Sequence, residues 1–151
     1  MDPALDTVIA LFHDVHQRIR EAVQDLDPAT LNWVPAPGCN AIAALVVHTL
    51  GSEAEVLRTV ANVTGERDRD AEFRAEAASA ADLIARIDAA DTNLAAMTAR
   101  ITPDDLAAVR PRGDNPPETG RHWLMSNYGH AREHLGHIDL TKQIYAATGR
   151  H

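Results

Sequence analysis

The stretch Leu5-Asp-Thr-Val-Ile-Ala-Leu-Phe-His-Asp-Val-His-Gln-Arg-Ile-Arg-Glu-Ala-Val-Gln-Asp-Leu26 places Leu5, Val8, Ile9, Phe12, Val15, Ile19, Val23 and Leu26 at three- and four-residue intervals. That is the period of a helix with one apolar face, not the alternation of a strand. Asp2-Pro3 supplies a cap and first turn, and Asp27-Pro28 breaks the pattern. Working outward, Pro35-Ala-Pro-Gly38-Cys-Asn40 reads as a loop whose Asn40 is placed to cap a second helix. Ile42, Leu45, Val46, Thr49, Ser52, Val56, Leu57 and Val60 give that helix its apolar face until Gly65. The charged run Glu66-Arg-Asp-Arg-Asp70 reads as a solvated connection. A third helix runs from about Ser79, as N-cap, to Ile101 through Leu83, Ile84, Ile87, Leu94 and Met97. Thr102-Pro-Asp-Asp caps a short turn. Arg110-Pro-Arg-Gly-Asp-Asn-Pro-Pro117 reads as an irregular link, because prolines cannot continue a helix. The fourth helix extends from roughly Glu118 to Thr148, with Gly149 at its C′ position. The expectation is an all-α fold, a four-helix bundle formed by one domain over residues 1–151, with sites built from side chains on facing helices.

Composition narrows the function. Lys plus Arg number 14 against 22 for Asp plus Glu, a formal charge of −8 that disfavours contact with nucleic-acid phosphates or anionic lipid. The N-terminus has no basic secretory n-region and no run is long and apolar enough for a membrane span, so the expected location is cytoplasmic. Cys39 is the lone cysteine, which leaves no disulfide and no thiolate pair for a metal; any ion must be held by nitrogen and oxygen. Gly-x-Ser-x-Gly, a phosphate-cradling glycine loop and His-Glu-x-x-His are all missing.

The chemistry concentrates in His130-Ala-Arg-Glu-His134-Leu-Gly-His137. Four residues of helix rotate a side chain by only about 40° and lift it by about 6 Å, so His130 and His134 stand one above the other as a chelating pair. His137 lies about 60° from His134 on the other side of the stripe and is open to three roles: ligand, hydrogen-bond partner of a ligand, or substrate-facing group. His48 interrupts the apolar segment Ala44-Leu-Val-Val47 and would face the core, where an unpaired imidazole is poorly accommodated. His13 and His16 read as equally suited to solvent, Glu53 and Glu55 as surface carboxylates or supports around the ligands, His122 and His151 as loop and tail, and Trp33 and Trp123 as core packing.

Asn32-Trp33-x-Pro35-x-Pro37-Gly38-x-Asn40-x-Ile42-Ala43-x-Leu45-x-x-His48, followed much later by His130-x-x-x-His134-Leu-Gly136-His137-Ile138, resembles the DinB-like (YfiT-like) metal-binding four-helix bundles. The likeness includes Arg67-Asp-Arg-Asp-Ala-Glu-Phe73 and extends over nearly the whole chain. It implies that His48, His130 and His134 hold a divalent ion, zinc or nickel, with water in the open positions. The family commonly carries Gln where this chain has His137, so the fourth nitrogen is a departure. Some relatives transfer low-molecular-weight thiols such as mycothiol, bacillithiol or glutathione, and the mycothiol-dependent maleylpyruvate isomerase has a similar metal domain. The resemblance therefore implies a small-molecule thiol and an electrophilic substrate as partners, with a metal-dependent hydrolase or a non-catalytic metal-binding or sensor module as alternatives. It also motivates the expectation of a homodimer joined through exposed apolar helix faces.

Overall fold

The computed structural model describes residues 2–148, so Gly149 and His151 lie outside the described residues. Four long helices carry the architecture: α1 (Pro3–Val23), α3 (Ile42–Val60), α5 (Ala80–Thr98) and α7 (Gly120–Ala147). Three short ones intervene, α2 (Pro28–Leu31), α4 (Arg69–Phe73) and α6 (Pro103–Ala107), together with a two-stranded ribbon, β1 (Val109–Arg112) and β2 (Asn115–Thr119). Each long helix packs against two others, α1 on α5 and α7, α3 on α5 and α7. The four stand around a common axis with α1 and α3 on one diagonal. His48 is thereby on the neighbour of the helix that carries His130 and His134.

Local chemistry sets most of the boundaries. The Asp2 side chain accepts from Ala4 N–H at the start of α1, Ser79 from Asp82 N–H at the start of α5, and Thr102 closes a reciprocal capping box with Asp105 on α6. Asn40 does not cap α3. The N-cap is Ala41, without a side-chain bond, and the helix begins where Ile42, fully buried, enters the core. Apolar burial rather than a cap fixes that start.

Two segments read as loops are ordered. Asp68 accepts from Ala71 N–H at 2.9 Å and nucleates α4 inside the charged run, with Glu72 buried. Residues 109–119 form an antiparallel hairpin instead of an irregular link, with Val109 opposite Thr119, Arg110 opposite Glu118 and Arg112 opposite Asn115. Pro116 and Pro117 are compatible with it because both strands of a two-stranded ribbon are edges, where a missing N–H is no loss. Pro111 sits where the register shifts between Arg110 and Arg112, and Gly113 takes the left-handed conformation (φ +56°) that the turn requires. The Trp123 indole N–H donates to Arg110 O at 2.9 Å and pins the hairpin to α7.

The core has two apolar clusters. One includes Val15, Ile19, Ile42, Val46, Ile87, Leu135 and Ile138. The other includes Leu5, Phe12, Val56, Leu57, Leu94, Trp123 and Leu124. Each buried side chain of this size is worth about 1.5–3 kcal/mol of transfer free energy. Between the clusters, on every long helix, lie polar positions: His16 on α1, Ser52 and Glu53 on α3, Asp91 on α5 and Asn127 on α7. His16, Ser52, Glu53 and Asn127 are buried. The bundle is thus divided by a polar layer, and the site lies on its α3–α7 side.

Candidate metal centre

His48 Nε2 lies 3.1 Å from His130 Nε2, and His134 Nε2 lies 3.0 Å from the same atom. The α3–α7 packing brings the three rings together, edge to face, with His48 centroids 5.1 Å from both partners. Ring nitrogens so arranged have more lone pairs than protons to share, whereas one cation satisfies them all. Ligation at about 2.0–2.1 Å in tetrahedral geometry puts nitrogens about 3.4 Å apart, so the observed spacings are within a few tenths of an ångström of a ligand set. The donor set fits a divalent ion; ligand atoms of His48, His130 and His134 all lie within 4.8 Å of one another.

Electrostatics keep these rings uncharged. Burial, with the neighbouring His134 and His48 adding to it, pushes His130 down to about 4. Burial also lowers His48, against the pull of Glu72, and lowers His134, with His48 and His137 helping. Neutral imidazoles are the form a metal requires. His130 Nδ1 is buried without a partner.

Glu72 orients His48. Its Oε1 sits 3.1 Å from His48 Nδ1, with Arg67 Nη2 at 3.3 Å from the same nitrogen, so that Nε2 is the atom that faces the cluster. Arg67 holds Glu72 with two bonds, Nε to Oε2 at 2.9 Å and Nη2 to Oε1 at 2.7 Å. Phe73 stacks on the His48 ring at 4.3 Å. Gly51 leaves the space the carboxylate occupies: a Cβ there would collide with Glu72 Oε2. His137 stands outside the convergence, exposed, with Nδ1 at 3.4 Å from His134 Nδ1.

A cavity of about 340 Å3 opens beside the rings, bounded by α3, α4, the hairpin and α7, with His48 and His130 among its walls. Arg112, at the end of β1, reaches in and bonds Glu55 Oε2 at 2.8 Å and Ser52 Oγ at 3.0 Å. Another cavity, about 320 Å3 between α1, α6 and α7, is walled mostly by apolar side chains such as Leu5, Val8 and Leu124, with Arg121 its one charged lining residue.

A second histidine cluster has the opposite character. His16, fully buried, bonds Asp91 Oδ1 through Nδ1 and Glu53 Oε2 through Nε2, both at 2.7 Å. His13 Nδ1 lies 2.9 Å from the same Asp91 oxygen, and Arg20 closes on Asp91 Oδ2. Burial alone would depress His16, but the hydrogen bonds and charges of Glu53 and Asp91 outweigh it and raise the pKa. His16 is therefore not a solvent-facing residue, and Glu53 is neither at the surface nor beside the three-imidazole site. Glu55 does face that site, bonded to Arg67 and Arg112. His122 belongs to the first turn of α7 rather than to a loop, and Trp123 is buried as expected. Trp33 is half-buried against Tyr145, with ring centroids 5.2 Å apart.

Sequence reasoning missed Glu72, Arg67, Gly51 and Arg112. The capping pattern from Asp68 to Ala71 was the available signal for α4; nothing local announced that the hairpin would carry Arg112 back onto α3.

A family profile described as the DinB superfamily matches residues 11–138, which takes in all three clustered histidines. The chain belongs to the DinB superfamily. Among solved structures, a conserved protein of Enterococcus faecalis superposes with a TM-score of 0.77 at 16% identity, covering 94% of this chain and 96% of that one. At that identity the likeness concerns the fold. No curated protein matches the chain. Among the described residues no helix is long and apolar enough to cross a membrane.

Proposed function

We propose that this DinB-superfamily protein binds a divalent ion, zinc or nickel, through His48, His130 and His134, and uses it to transfer a small-molecule thiol to an electrophilic substrate. The observation that carries the reading is the convergence of three Nε2 atoms, those of His48 and His134 at 3.1 and 3.0 Å from that of His130, beside an accessible cavity. An ion held there supplies Lewis acidity, lowering the pKa of a thiol that shares its coordination. The chain's own residues prepare the place. Glu72 orients the His48 ring, Arg67 holds Glu72, and Phe73 covers one face of the His48 ring. His137, one step out from His134, is positioned to orient that ligand rather than to close the site as a fourth. The open cavity favours catalysis over a closed structural ion. A hydrolase that takes Glu53 as general base is disfavoured, since that carboxylate is committed to His16.

Cobalt-loaded protein titrated with glutathione, mycothiol and bacillithiol tests the proposal. The expected result is a sulfur-to-cobalt charge-transfer band with at least one of them; no spectral change with any thiol overturns the thiol reading, and failure of the protein to take up cobalt, zinc or nickel overturns the metal reading. Homodimerisation is part of the same proposal, supported by Leu140 and Ile144 of α7, 52% and 38% exposed. A monomeric mass in light scattering at micromolar concentration overturns it.

A further inference from the structure

The cavity wall beside the imidazoles is cationic in a protein whose formal charge is −8. Arg67, Arg69 and Arg112 line it, against Glu55 in the wall and Glu72 behind it, an excess of one positive charge with the imidazoles neutral. The carboxylates are already shared: Glu55 Oε2 serves both Arg67 and Arg112, and Glu72 is taken up by Arg67 and His48. Arg69 is exposed and has its guanidinium 4.8 Å over the Phe73 ring, with no carboxylate in salt-bridge contact among the described residues. Arg112 keeps N–H donors beyond those spent on Glu55 and Ser52. The floor holds one more unmet demand. Asn127, 3% exposed, donates through Nδ2 to Ser52 Oγ at 2.8 Å, while its Oδ1 is buried without a partner. A buried acceptor left unpaired is disfavoured and marks the floor as polar.

We infer that this cavity receives a small substrate bearing a carboxylate, bound by Arg112 and Arg69. The planar guanidinium fork matches a carboxylate. A volume of about 340 Å3 limits the ligand to a small molecule. The substrate class rests on the reading of the three imidazoles as the place of reaction, since the carboxylate would set the rest of the molecule against His48 and His130.

The test uses the full chain with lactate as probe, lactamide as its uncharged counterpart and inorganic phosphate as the competing anion, followed by amide NMR shifts. Metal-stripped protein is used first, so that ligation of an ion by lactate does not contribute. Lactate is expected to bind saturably, moving resonances of residues 112–115 and 126–130. Arg69→Gln and Arg112→Gln are each expected to weaken it about tenfold, and Arg121→Gln to leave it unchanged. Arg69 is exposed and anchors no element, so its variant stays informative even if loss of Arg112 loosens the hairpin. No saturable binding, equal binding of lactamide, tighter binding of phosphate, or an undiminished affinity in Arg69→Gln overturns the inference. Cobalt uptake, recorded separately, keeps the two readings apart. Lactate binding without cobalt uptake sinks the metal site and keeps the carboxylate site; cobalt uptake without lactate binding does the reverse.

Discussion

Two histidine clusters occupy the same bundle and differ in what surrounds the rings. Around His130 the partners are other imidazoles, and no carboxylate approaches the converging nitrogens; its pKa falls to about 4. Around His16 both ring nitrogens meet carboxylates, and the pKa rises. The first arrangement keeps lone pairs available for an electrophile, while the second fills them with protons and turns the ring into a buried cation between Glu53 and Asp91. Possession of three clustered donors is therefore not the distinguishing feature, since His13, His16 and Asp91 also lie within ligand distance of one another. The charge state that the neighbours impose is. The largest test exchanges the two outcomes. His130→Ala is expected to lower metal affinity at least about 100-fold with little loss of stability. His16→Ala is expected to leave metal content unchanged and cost about 3 kcal/mol by stranding two carboxylates. Elemental analysis and urea unfolding read the pair, and loss of metal in His16→Ala would erase the contrast.

The next effect concerns the support of His48. Glu72→Gln keeps a hydrogen-bonding group but loses the charge that Arg67 and His48 share, and a drop in metal affinity of about 10-fold is expected; Glu72→Ala approaches about 100-fold. Competition with a chromophoric chelator measures both. Equal affinities in wild type and Glu72→Ala would show that His48 needs no such partner. Gly51→Ala is subtler. In a helix interior the change favours stability by about 1 kcal/mol, yet the new methyl claims the space of the Glu72 carboxylate. The expected result is a protein at least as stable as wild type that binds metal several-fold more weakly, so that stability and affinity move in opposite directions. A parallel fall in both would mean that the displaced carboxylate supports the fold as well as His48.

Two of the long helices were legible twice over, in an apolar stripe and at a capped start, Leu5 to Val23 with Asp2 and Leu83 to Met97 with Ser79, while α3 was legible from its stripe alone. The His130/His134 pair was legible for the same reason, since helical spacing alone sets one ring above the other. Joining His48 to them required the α3–α7 pairing, which the bundle topology supplies and periodicity does not. The supports escaped because they act across the chain. Glu72 lies two residues past a charged run whose composition resembles any solvated loop, and the bond from Ala71 N–H to Asp68 starts the turn of helix that carries it inward. Arg112 depends on a ribbon whose three prolines argue against a strand until its edges are seen to be free. The polar layer was hidden in another way: His16 and Glu53 each fall on a helix face that reads as amphipathic, and their partnership exists only once α1 and α3 are brought together.

The smallest effect separates the clusters by pH in metal-stripped protein. His16 has a folded pKa above its ordinary 6.5, so its contribution to stability is fully present below pH 6.5 and is lost as pH rises through the folded value. His48, His130 and His134 have folded pKa values below 6.5, so as pH falls from 6.5 the unfolded chain takes up protons that the folded chain refuses, and stability declines in that direction. The two clusters thus bend the profile down on opposite sides of pH 6.5, each titrating group adding a slope of at most about 1.4 kcal/mol per pH unit. His16→Gln is expected to flatten the limb above pH 6.5 and leave the limb between pH 6.5 and 5 in place, while His130→Gln does the converse. Urea midpoints across that range provide the measurement. If His16→Gln leaves the upper limb as steep as in wild type, the buried ring between Glu53 and Asp91 is not a cation, and the distinction between a proton-filled and a metal-ready cluster fails at its physical root.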